Sequence, residues 1–257
     1  MFTAYSEVNA VLELLRNGVI SVLGSRLAGL YLHGSLAGGD FEPARSDIDF
    51  VAATKAELPD EVIAELRAMH ASLRTHGNRW ANELEGSYIP LPALRCYDPR
   101  HNRFPALRID GSFDLDGHGS DWIIQFSILR EHAIVLEGPH PRSLIDPIGP
   151  DQLRAAVRGI LREWWSRPLP QPERFASRHY QAYAVLTMCR ALYTLRFGRA
   201  PSKSEAAHWA VSALETKWGG LIERALAWPG EPQADELQTT LDFVGFTTQS
   251  CLDHPEL

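Results

Sequence analysis

Two aspartates separated by one residue stand at the start of an apolar run. Asp47-Ile48-Asp49 leads into Phe50 and the apolar residues that follow it. In a β-strand alternate side chains share a face, so both carboxylates would lie on one face, about 6.5 to 7 Å apart along the backbone. Two carboxylates at this spacing repel each other unless a cation lies between them. Hard oxygen ligands suit Mg²⁺ that carries substrate phosphates, so the pair predicts a metal site.

A Gly-Ser pair precedes the aspartates and follows an apolar run at 28–32. Gly34 allows the backbone to approach a ligand closely, and the hydroxyl and N–H of Ser35 can bind a phosphate oxygen. A D-x-D pair alone is common on strand edges, and Gly-Ser after a strand is an ordinary turn. Their combination, with eleven residues between them, is much rarer and favours a site for phosphate and Mg²⁺. Ser46 is either a second phosphate contact or a turn partner of Asp47.

These residues resemble the signature of nucleotidyltransferases. Leu32-His33-Gly34-Ser35 and Pro43-Ala44-Arg45-Ser46-Asp47-Ile48-Asp49 carry the resemblance, which extends to the aminoglycoside adenylyltransferases that modify streptomycin and spectinomycin. Three further segments resemble the family more weakly and follow in the same order along the chain: 84–90, 130–139 and 185–190. The resemblance implies an enzyme that uses Mg²⁺ to transfer AMP from ATP to a hydroxyl group of a small molecule. An aminoglycoside antibiotic is one candidate acceptor.

A third carboxylate is expected beside the aspartate pair, because the acceptor hydroxyl must lose its proton during transfer. Glu85 is the predicted catalytic base, since it lies on the next predicted strand and matches the base of the family. Glu83 would share its strand face, so the assignment could shift by two residues. Nearby carboxylates are expected to raise the pKa of Glu85, which suits a base that works near neutral pH.

The resemblance also implies two basic nucleotide contacts in the second half of the chain. Arg190 lies within an apolar helical stretch, where a buried arginine needs either a carboxylate partner or a phosphate of ATP. Lys203 lies at a predicted helix start, where its charge opposes the helix dipole, so a ligand contact is more plausible than a stabilising role. The predicted nucleotide-binding residues are Ser35, Ser46, Arg190 and Lys203.

Apolar periodicity predicts two domains. Residues 1–149 are predicted to form an α/β nucleotidyltransferase head, a mixed sheet with helices, followed by an all-α helical bundle at 150–257. The head would contain helices at 6–23, 59–76 and 120–132, two strands around the motif, and further strands at 83–90, 106–115 and 133–136. The bundle would contain helices at 151–166, 174–197, 203–215, 218–227 and 234–251. A cleft between two such domains is a common ligand site, so the bundle is expected to close over nucleotide and substrate.

Composition and charge limit the partners. Residues 1–149 carry 20 acidic and 13 basic residues, and residues 150–257 carry 12 of each. An acidic head disfavours nucleic acid, whose phosphates need a basic surface, and is compatible with a cationic acceptor. No apolar run approaches 18 residues, the N-terminus lacks a secretory signal, and three widely spaced cysteines argue against a disulfide framework. We therefore expect a cytoplasmic protein without a membrane span, and a monomer.

The positions expected to bind the acceptor match the family least well. The acidic residue expected just before the Arg190 helix is missing, since no carboxylate lies between Glu173 and Glu205. The reaction type is therefore better determined than the acceptor. Two other functions stay open: adenylylation of a protein, as in minimal nucleotidyltransferases of toxin–antitoxin systems, and nucleotide binding by a regulator without catalysis.

The aromatic residue expected to face the acceptor also lacks a match, since no tryptophan lies between Trp80 and Trp122. Tyr97, Phe104 and Phe113 are candidate substitutes. One segment, His118-Gly119-Ser120, repeats the letters of His33-Gly34-Ser35 but precedes no D-x-D strand. We interpret it as a turn and a helix cap.

Overall fold

The computed structural model describes residues 1–44, 46–165, 175–229 and 236–253. These ranges leave out Arg45 and Glu173. They also leave out residues 166, 174 and 234–235, which belong to predicted helices. The chain forms two compact units, Met1–Pro147 and Ile148–Leu257. Among the described helices, none combines the length and the hydropathy that a membrane-spanning segment requires.

The first unit is built on a six-stranded mixed sheet. In chain order the strands are β1 (Leu27–Leu32), β2 (Ile48–Thr54), β3 (Leu84–Pro90), β4 (Arg103–Leu107), β5 (Phe113–Gly117) and β6 (Ile134–Glu137). Across the sheet they follow the order β5-β4-β3-β2-β1-β6. Strands β2 and β3 are parallel, and all other neighbours are antiparallel. The predicted mixed sheet is confirmed.

The single strand predicted over 106–115 is wrong, because this stretch forms a hairpin. Strand β4 ends at Leu107, and β5 begins at Phe113. Between them Gly111 has φ +86°, and its N–H donates a hydrogen bond to the carbonyl of Arg108 at 2.8 Å. An Asp-Gly pair is a strong turn signal, so Asp110-Gly111 within the predicted strand marks the missed turn.

Helices α1 (Ser6–Leu23) and α3 (Asp60–Arg74) contribute to a hydrophobic core with one face of the sheet. The sheet contributes Ile48, Phe50 and Tyr88 to this core. Burying one large aliphatic side chain contributes about 1.5 to 3 kcal/mol, so this layer holds β2 and β3 in place. The buried apolar residues of the two helices recur at helical spacing: Val8, Val11, Leu12, Leu15, Val19 and Leu23 in α1, and Val62, Leu66 and Leu73 in α3.

Side chains alternate along a strand, so Asp49 and Glu85 lie on the opposite face of the sheet from Phe50. A short helix α2 (Gly34–Gly38), which the sequence did not predict, contacts β2 and helix α5 (Asp121–His132). Helix α4 (Leu91–Arg95) contacts β2 and β3. The second face of the sheet therefore carries the acidic side chains of Asp49 and Glu85.

The described part of the second unit is helical, as predicted. Its helices are α6 (Pro150–Ile160), continued by a π-helical turn at Leu161–Trp165, then α7 (Arg178–Phe197), α8 (Lys203–Ala213), α9 (Gly219–Leu226) and α10 (Leu237–Asp253). Helix α7 contacts each of the other four described helices and supplies many of the buried side chains. It is the central element of this unit.

Candidate active site

Three carboxylates meet at the beginning of β2 and β3. Asp49 and Glu85 are partners in the parallel register of the two strands, so their side chains are neighbours on one face. Asp47 directly precedes β2 and shares that face by alternation. One carboxylate oxygen from each residue lies within 4.8 Å of the other two. The structure therefore brings together the three acidic residues that the sequence singled out.

Gly34 leaves room for the carboxylate of Asp49. Its backbone has φ +63°, a conformation that strongly favours glycine, and a Cβ at this position would overlap the Asp49 carboxylate. The preceding residue, His33, donates its backbone N–H to the carbonyl of Asp49 at 3.1 Å. The chain after β1 is thus held directly against the aspartate, and only a residue without a side chain fits there.

The environment of Glu85 raises its pKa above the ordinary value for glutamate. Burial is the largest cause, because it disfavours the charged form, and the negative charge of Asp47 adds to it. Asp116 and Asp110 raise the pKa further, whereas Arg108 lowers it. Arg108 is itself ion-paired with Asp116 at 2.7 Å. Burial and nearby negative charge are therefore the main causes of the raised pKa of Glu85.

Glu83 does not share the position of Glu85. It follows a short 3-10 helix, Arg79–Asn82, and lies just before β3. Its backbone carbonyl accepts a hydrogen bond from the N–H of Ile48 at 2.7 Å. Of the two glutamates, it is Glu85 that joins Asp47 and Asp49 in the carboxylate cluster.

The signature contains two serines, Ser35 after β1 and Ser46 before β2. Ser35 is in α2, and its buried Oγ has no hydrogen-bond partner within the described part of the chain. Ser46 accepts a hydrogen bond on its Oγ from the N–H of Glu42 at 3.0 Å, and its own N–H donates to the Glu42 carbonyl at 2.9 Å. Ser46 thus closes a turn with Glu42, whereas the Ser35 hydroxyl is left with unused hydrogen-bonding capacity.

These residues fit a hard divalent cation and a phosphate group. Three carboxylate oxygens within 4.8 Å of one another form an all-oxygen donor set, the kind that Mg²⁺ prefers. Gly34 has no Cβ that would overlap the Asp49 carboxylate, and the next residue, Ser35, has a buried hydroxyl without a partner in the described residues. Asp47 and Asp49 are the residues that would hold the ion.

The two predicted basic contacts belong to the second unit. Arg190 lies in α7 and is half-buried, whereas the sequence predicted a buried arginine. Lys203 is the first residue of α8, is exposed, and has its Nζ 6.0 Å from the ring centre of Tyr183. The carboxylates belong to the first unit, so nucleotide contact by Arg190 and Lys203 stays a prediction.

A cluster around His118 was missed by the sequence analysis. His118 is buried, and its Nε2 is hydrogen-bonded to Oγ of Ser87 at 2.9 Å. The ring of Trp122 lies against it, with ring centres 4.0 Å apart. Ser120 occupies the N-cap position of α5, but its side chain makes no capping hydrogen bond. The spacing of His118 and Trp122 was a weak signal, because their approach to Ser87 depends on how distant strands pair.

Comparison with known proteins shows which proteins this chain is similar to. Residues 143–249 match the family described as aminoglycoside adenylyltransferase, C-terminal domain. The chain is 29% identical over 263 residues to an aminoglycoside (3'') (9) adenylyltransferase of Rhizobium radiobacter, covering 93% of this chain and 89% of that protein. A protein of the same name from Klebsiella pneumoniae is 26% identical over 265 residues, covering 94% of this chain and 92% of the relative.

A solved structure shares the fold. It is the spectinomycin adenyltransferase AAD(9) from Enterococcus faecialis, determined with ATP and spectinomycin. It aligns with a TM-score of 0.74 and 16% sequence identity, covering 94% of this chain and 99% of that one. The fold and the relatives together define the protein as a nucleotidyltransferase. Within that class, the chain is similar to aminoglycoside adenylyltransferases over most of its length, and residues 143–249 match the C-terminal domain of that family.

Proposed function

We propose that the protein transfers AMP from ATP to a hydroxyl group of an aminoglycoside, in a reaction that depends on Mg²⁺. The cluster of Asp47, Asp49 and Glu85 is the observation that carries this proposal. Adenylyl transfer needs bound phosphates, a metal and a base near the attacking hydroxyl, and these three carboxylates supply the protein's part of that arrangement. The activity would make the protein an antibiotic-resistance enzyme.

Each side chain of the site has a separate role in this proposal. Asp47 and Asp49 hold Mg²⁺, which when bound supplies positive charge that offsets the charge of the ATP phosphates. Glu85 accepts the proton of the acceptor hydroxyl, and its raised pKa makes it a stronger base than an ordinary glutamate. Ser35 and Ser46 contact the phosphates, and the hydroxyl of Ser35 is the better supported of the two because it has no partner in the described residues.

The second unit completes the nucleotide site in this proposal. We assign residues 1–149 to the nucleotidyltransferase domain and residues 150–257 to a domain that closes over nucleotide and substrate. Arg190 and Lys203 would place positive charge against the ATP phosphates, a role that guanidinium and ammonium groups perform well. We further propose that the enzyme acts as a monomer in the cytoplasm, where ATP is available.

The acceptor is the part of the proposal that relatives support most directly. The relatives in Rhizobium radiobacter and Klebsiella pneumoniae are named as aminoglycoside (3'') (9) adenylyltransferases. The negative charge around Glu85 favours a cationic acceptor and disfavours nucleic acid. No observation favours transfer to a protein or regulation without catalysis.

Labelled ATP distinguishes these functions. The purified protein is incubated with Mg²⁺ and either α-labelled or γ-labelled ATP, together with a panel of aminoglycosides or with a bacterial lysate. The proposal predicts that the α-label alone appears on a small aminoglycoside. Label on a lysate protein instead would support protein adenylylation, and binding of ATP without any transfer would support the regulatory alternative. Either outcome would contradict the proposal.

A further inference from the structure

The connection between α2 and β2, at 39–47, carries two of the proposed ligand contacts at its end. Ser46 and Asp47 both precede Ile48, the first residue of β2 that pairs with β3. Asp49 is held within the sheet by that pairing, whereas Ser46 and Asp47 lie outside it. Their positions therefore depend on what fixes the connection.

Phe41 anchors the first half of the connection. Its side chain is buried, with its ring centre 5.4 Å from that of Trp80 and 4.9 Å from that of Tyr5. The hydroxyl of Tyr5 donates to the carbonyl of Phe41 at 3.4 Å. Trp80 is itself buried in the hydrophobic core. The connection is thus fixed to the core at Phe41.

The second half of the connection is a turn closed by its two ends. The N–H of Ser46 donates to the carbonyl of Glu42 at 2.9 Å, and Oγ of Ser46 accepts from the N–H of Glu42 at 3.0 Å. Because these ends are bonded to each other, the turn keeps its shape. Its orientation against the rest of the unit depends on contacts made by the residues between the ends.

Arg79 makes such a contact. Its Nη2 donates to the carbonyl of Pro43, within the turn, at 3.0 Å. Its Cζ lies 4.1 Å from the ring centre of Trp80, so the guanidinium stacks on a ring that is buried and fixed. Trp80 also contacts Phe41. Arg79 therefore ties the turn at 42–46 to the same aromatic side chain that holds the first half of the connection.

The segment that carries Arg79 is itself well held. Arg79 begins the 3-10 helix that leads to β3. The side chain of Asn78 accepts a hydrogen bond from the N–H of Trp80 at 3.0 Å and donates one to the carbonyl of Glu7, in α1, at 3.0 Å. The guanidinium thus extends from a segment that is bonded to α1 and packed in the core.

We propose that Arg79 is a positioning residue for nucleotide binding. By holding the carbonyl of Pro43 it orients the turn at 42–46, and through the turn it places Ser46 and Asp47 for phosphate and Mg²⁺. Arg79 acts through these residues and does not itself contact the ligand. The inference rests on the proposed function, because that function assigns phosphate and metal contacts to Ser46 and Asp47.

Arg79→Met tests this inference by steady-state kinetics, since methionine can still cover Trp80 but has no donor for Pro43. One net hydrogen bond corresponds to a change of about two- to tenfold in an equilibrium, and Arg79 is exposed. We expect the KM for ATP and the Mg²⁺ concentration for half-maximal rate to rise about fivefold. The kcat and the KM for streptomycin should stay within about twofold of the wild type. Arg79→Lys keeps a charged donor and should recover part of the loss.

Arg74→Met is the matched control. Nη1 of Arg74 donates to the carbonyl of Ile109 at 3.3 Å, so the variant loses the same kind of bond in the turn between β4 and β5. Its KM for ATP should match that of the wild type. An unchanged KM for ATP in Arg79→Met, an equal rise in both variants, or an equal rise in the KM for ATP and for streptomycin overturns the inference.

Two measurements without transfer separate this inference from the proposed function. Hydrogen–deuterium exchange of the unliganded protein should be faster at 39–47 in Arg79→Met than in the wild type and in Arg74→Met. Calorimetric titration with ATP and Mg²⁺ should show about fivefold weaker binding to Arg79→Met. Both results support the inference even where no antibiotic gains AMP, which would contradict only the proposed function. Equal exchange at 39–47, faster exchange throughout the first unit, equal binding, or no binding to the wild type overturns it.

Discussion

Three carboxylates held within 4.8 Å of one another repel each other, so the site opposes folding in the absence of a cation. The repulsion is visible at Glu85, whose pKa is raised by burial and by the charge of Asp47. A structure that keeps such an arrangement needs a strong scaffold, which here is the parallel pairing of β2 and β3. Close like charges of this kind are typical of metal and catalytic sites.

Replacing Glu85 tests its role as the base. Glu85→Gln keeps the shape of the side chain but removes its ability to accept a proton, so kcat is expected to fall at least about 100-fold. The dissociation constant of ATP should stay within about twofold. Glu83→Gln is the matched control and should retain activity, because Glu83 lies outside the carboxylate cluster. Turnover by Glu85→Gln at the wild-type rate would remove Glu85 from the mechanism.

Replacing Gly34 tests the close packing against Asp49. In Gly34→Ala the new Cβ overlaps the Asp49 carboxylate and the residue is strained at φ +63°. We expect the free energy of unfolding to fall by about 1 to 2 kcal/mol and kcat/KM to fall about 100-fold, since a displaced ligand disrupts the reacting geometry. Urea denaturation and steady-state kinetics measure the two effects.

Gly38→Ala is the control for this substitution. Gly38 lies in the same short helix, has no positive φ, and a Cβ there meets no atom within 4 Å. Its stability and kinetics should therefore match the wild type. Equal activity of Gly34→Ala and Gly38→Ala would show that the packing of Gly34 on Asp49 has no role in catalysis.

The sequence predicted the acidic residues of the site but left their arrangement open. Alternation along one strand is a local property, so the shared face of Asp47 and Asp49 followed from their spacing alone. The choice between Glu83 and Glu85 depended on the register of β2 against β3, which pairs Asp49 with Glu85. Register is set by tertiary packing, so it was not available from the sequence.

At the level of elements, helices were predicted best because apolar residues at helical spacing define them locally. The bounds of α1, Ser6–Leu23, match the predicted helix at 6–23. The hairpin of β4 and β5 was missed because each strand has only five residues and the turn signal Asp110-Gly111 between them was included in one predicted strand. That error concealed the position of His118, which follows β5 directly and reaches Ser87 only through strand pairing.

A buried histidine links the packing of α3 against β3 to pH. Nε2 of His70 is 2.7 Å from the hydroxyl of Tyr88, and burial lowers the pKa of His70 to about 3. A histidine whose pKa is lowered by folding stays neutral in the folded protein. In the unfolded chain the same histidine binds a proton once the pH falls below its ordinary pKa. The contribution of neutral His70 to folding stability is therefore complete above about pH 6.5 and is lost as the pH falls toward 3.

His70→Gln tests this coupling. Between pH 7.5 and pH 5 the wild type is expected to lose about 2 kcal/mol of folding stability through His70, and the variant should lack that loss. The variant is less stable at every pH because the substitution disturbs the core. We therefore compare the slope of the free energy of unfolding against pH, measured by urea denaturation at each pH. His132→Gln, at an exposed position, is the control. An unchanged slope in His70→Gln would contradict the assignment.

At the scale of the whole molecule, the proposed reaction needs both units. The carboxylate cluster belongs to Met1–Pro147, whereas Arg190 and Lys203 belong to Ile148–Leu257. The change from a mixed strand-and-helix pattern to helices alone was visible in the sequence, because periodicity changes after residue 150. How two units act on one nucleotide is a tertiary property, and the resemblance to a family was the basis for assigning Arg190 and Lys203.

Lys203→Met tests the contribution of the second unit. Loss of an ammonium group that contacts a phosphate is expected to raise the KM for ATP about tenfold, with little change in the KM for the acceptor. Lys217→Met is the matched control, since Lys217 is exposed, belongs to the same unit and is ion-paired with Glu215 at 3.0 Å. An unchanged KM for ATP in Lys203→Met would exclude Lys203 from nucleotide binding.

The most direct measurement of the central claim is mass spectrometry of an aminoglycoside after incubation with the purified protein and ATP. The antibiotic is expected to gain one AMP group in the presence of Mg²⁺, with release of pyrophosphate, and no product is expected when a chelator is added or when Asp49 is replaced by asparagine. Transfer that is unaffected by the chelator, or by the loss of the Asp49 carboxylate, would contradict it.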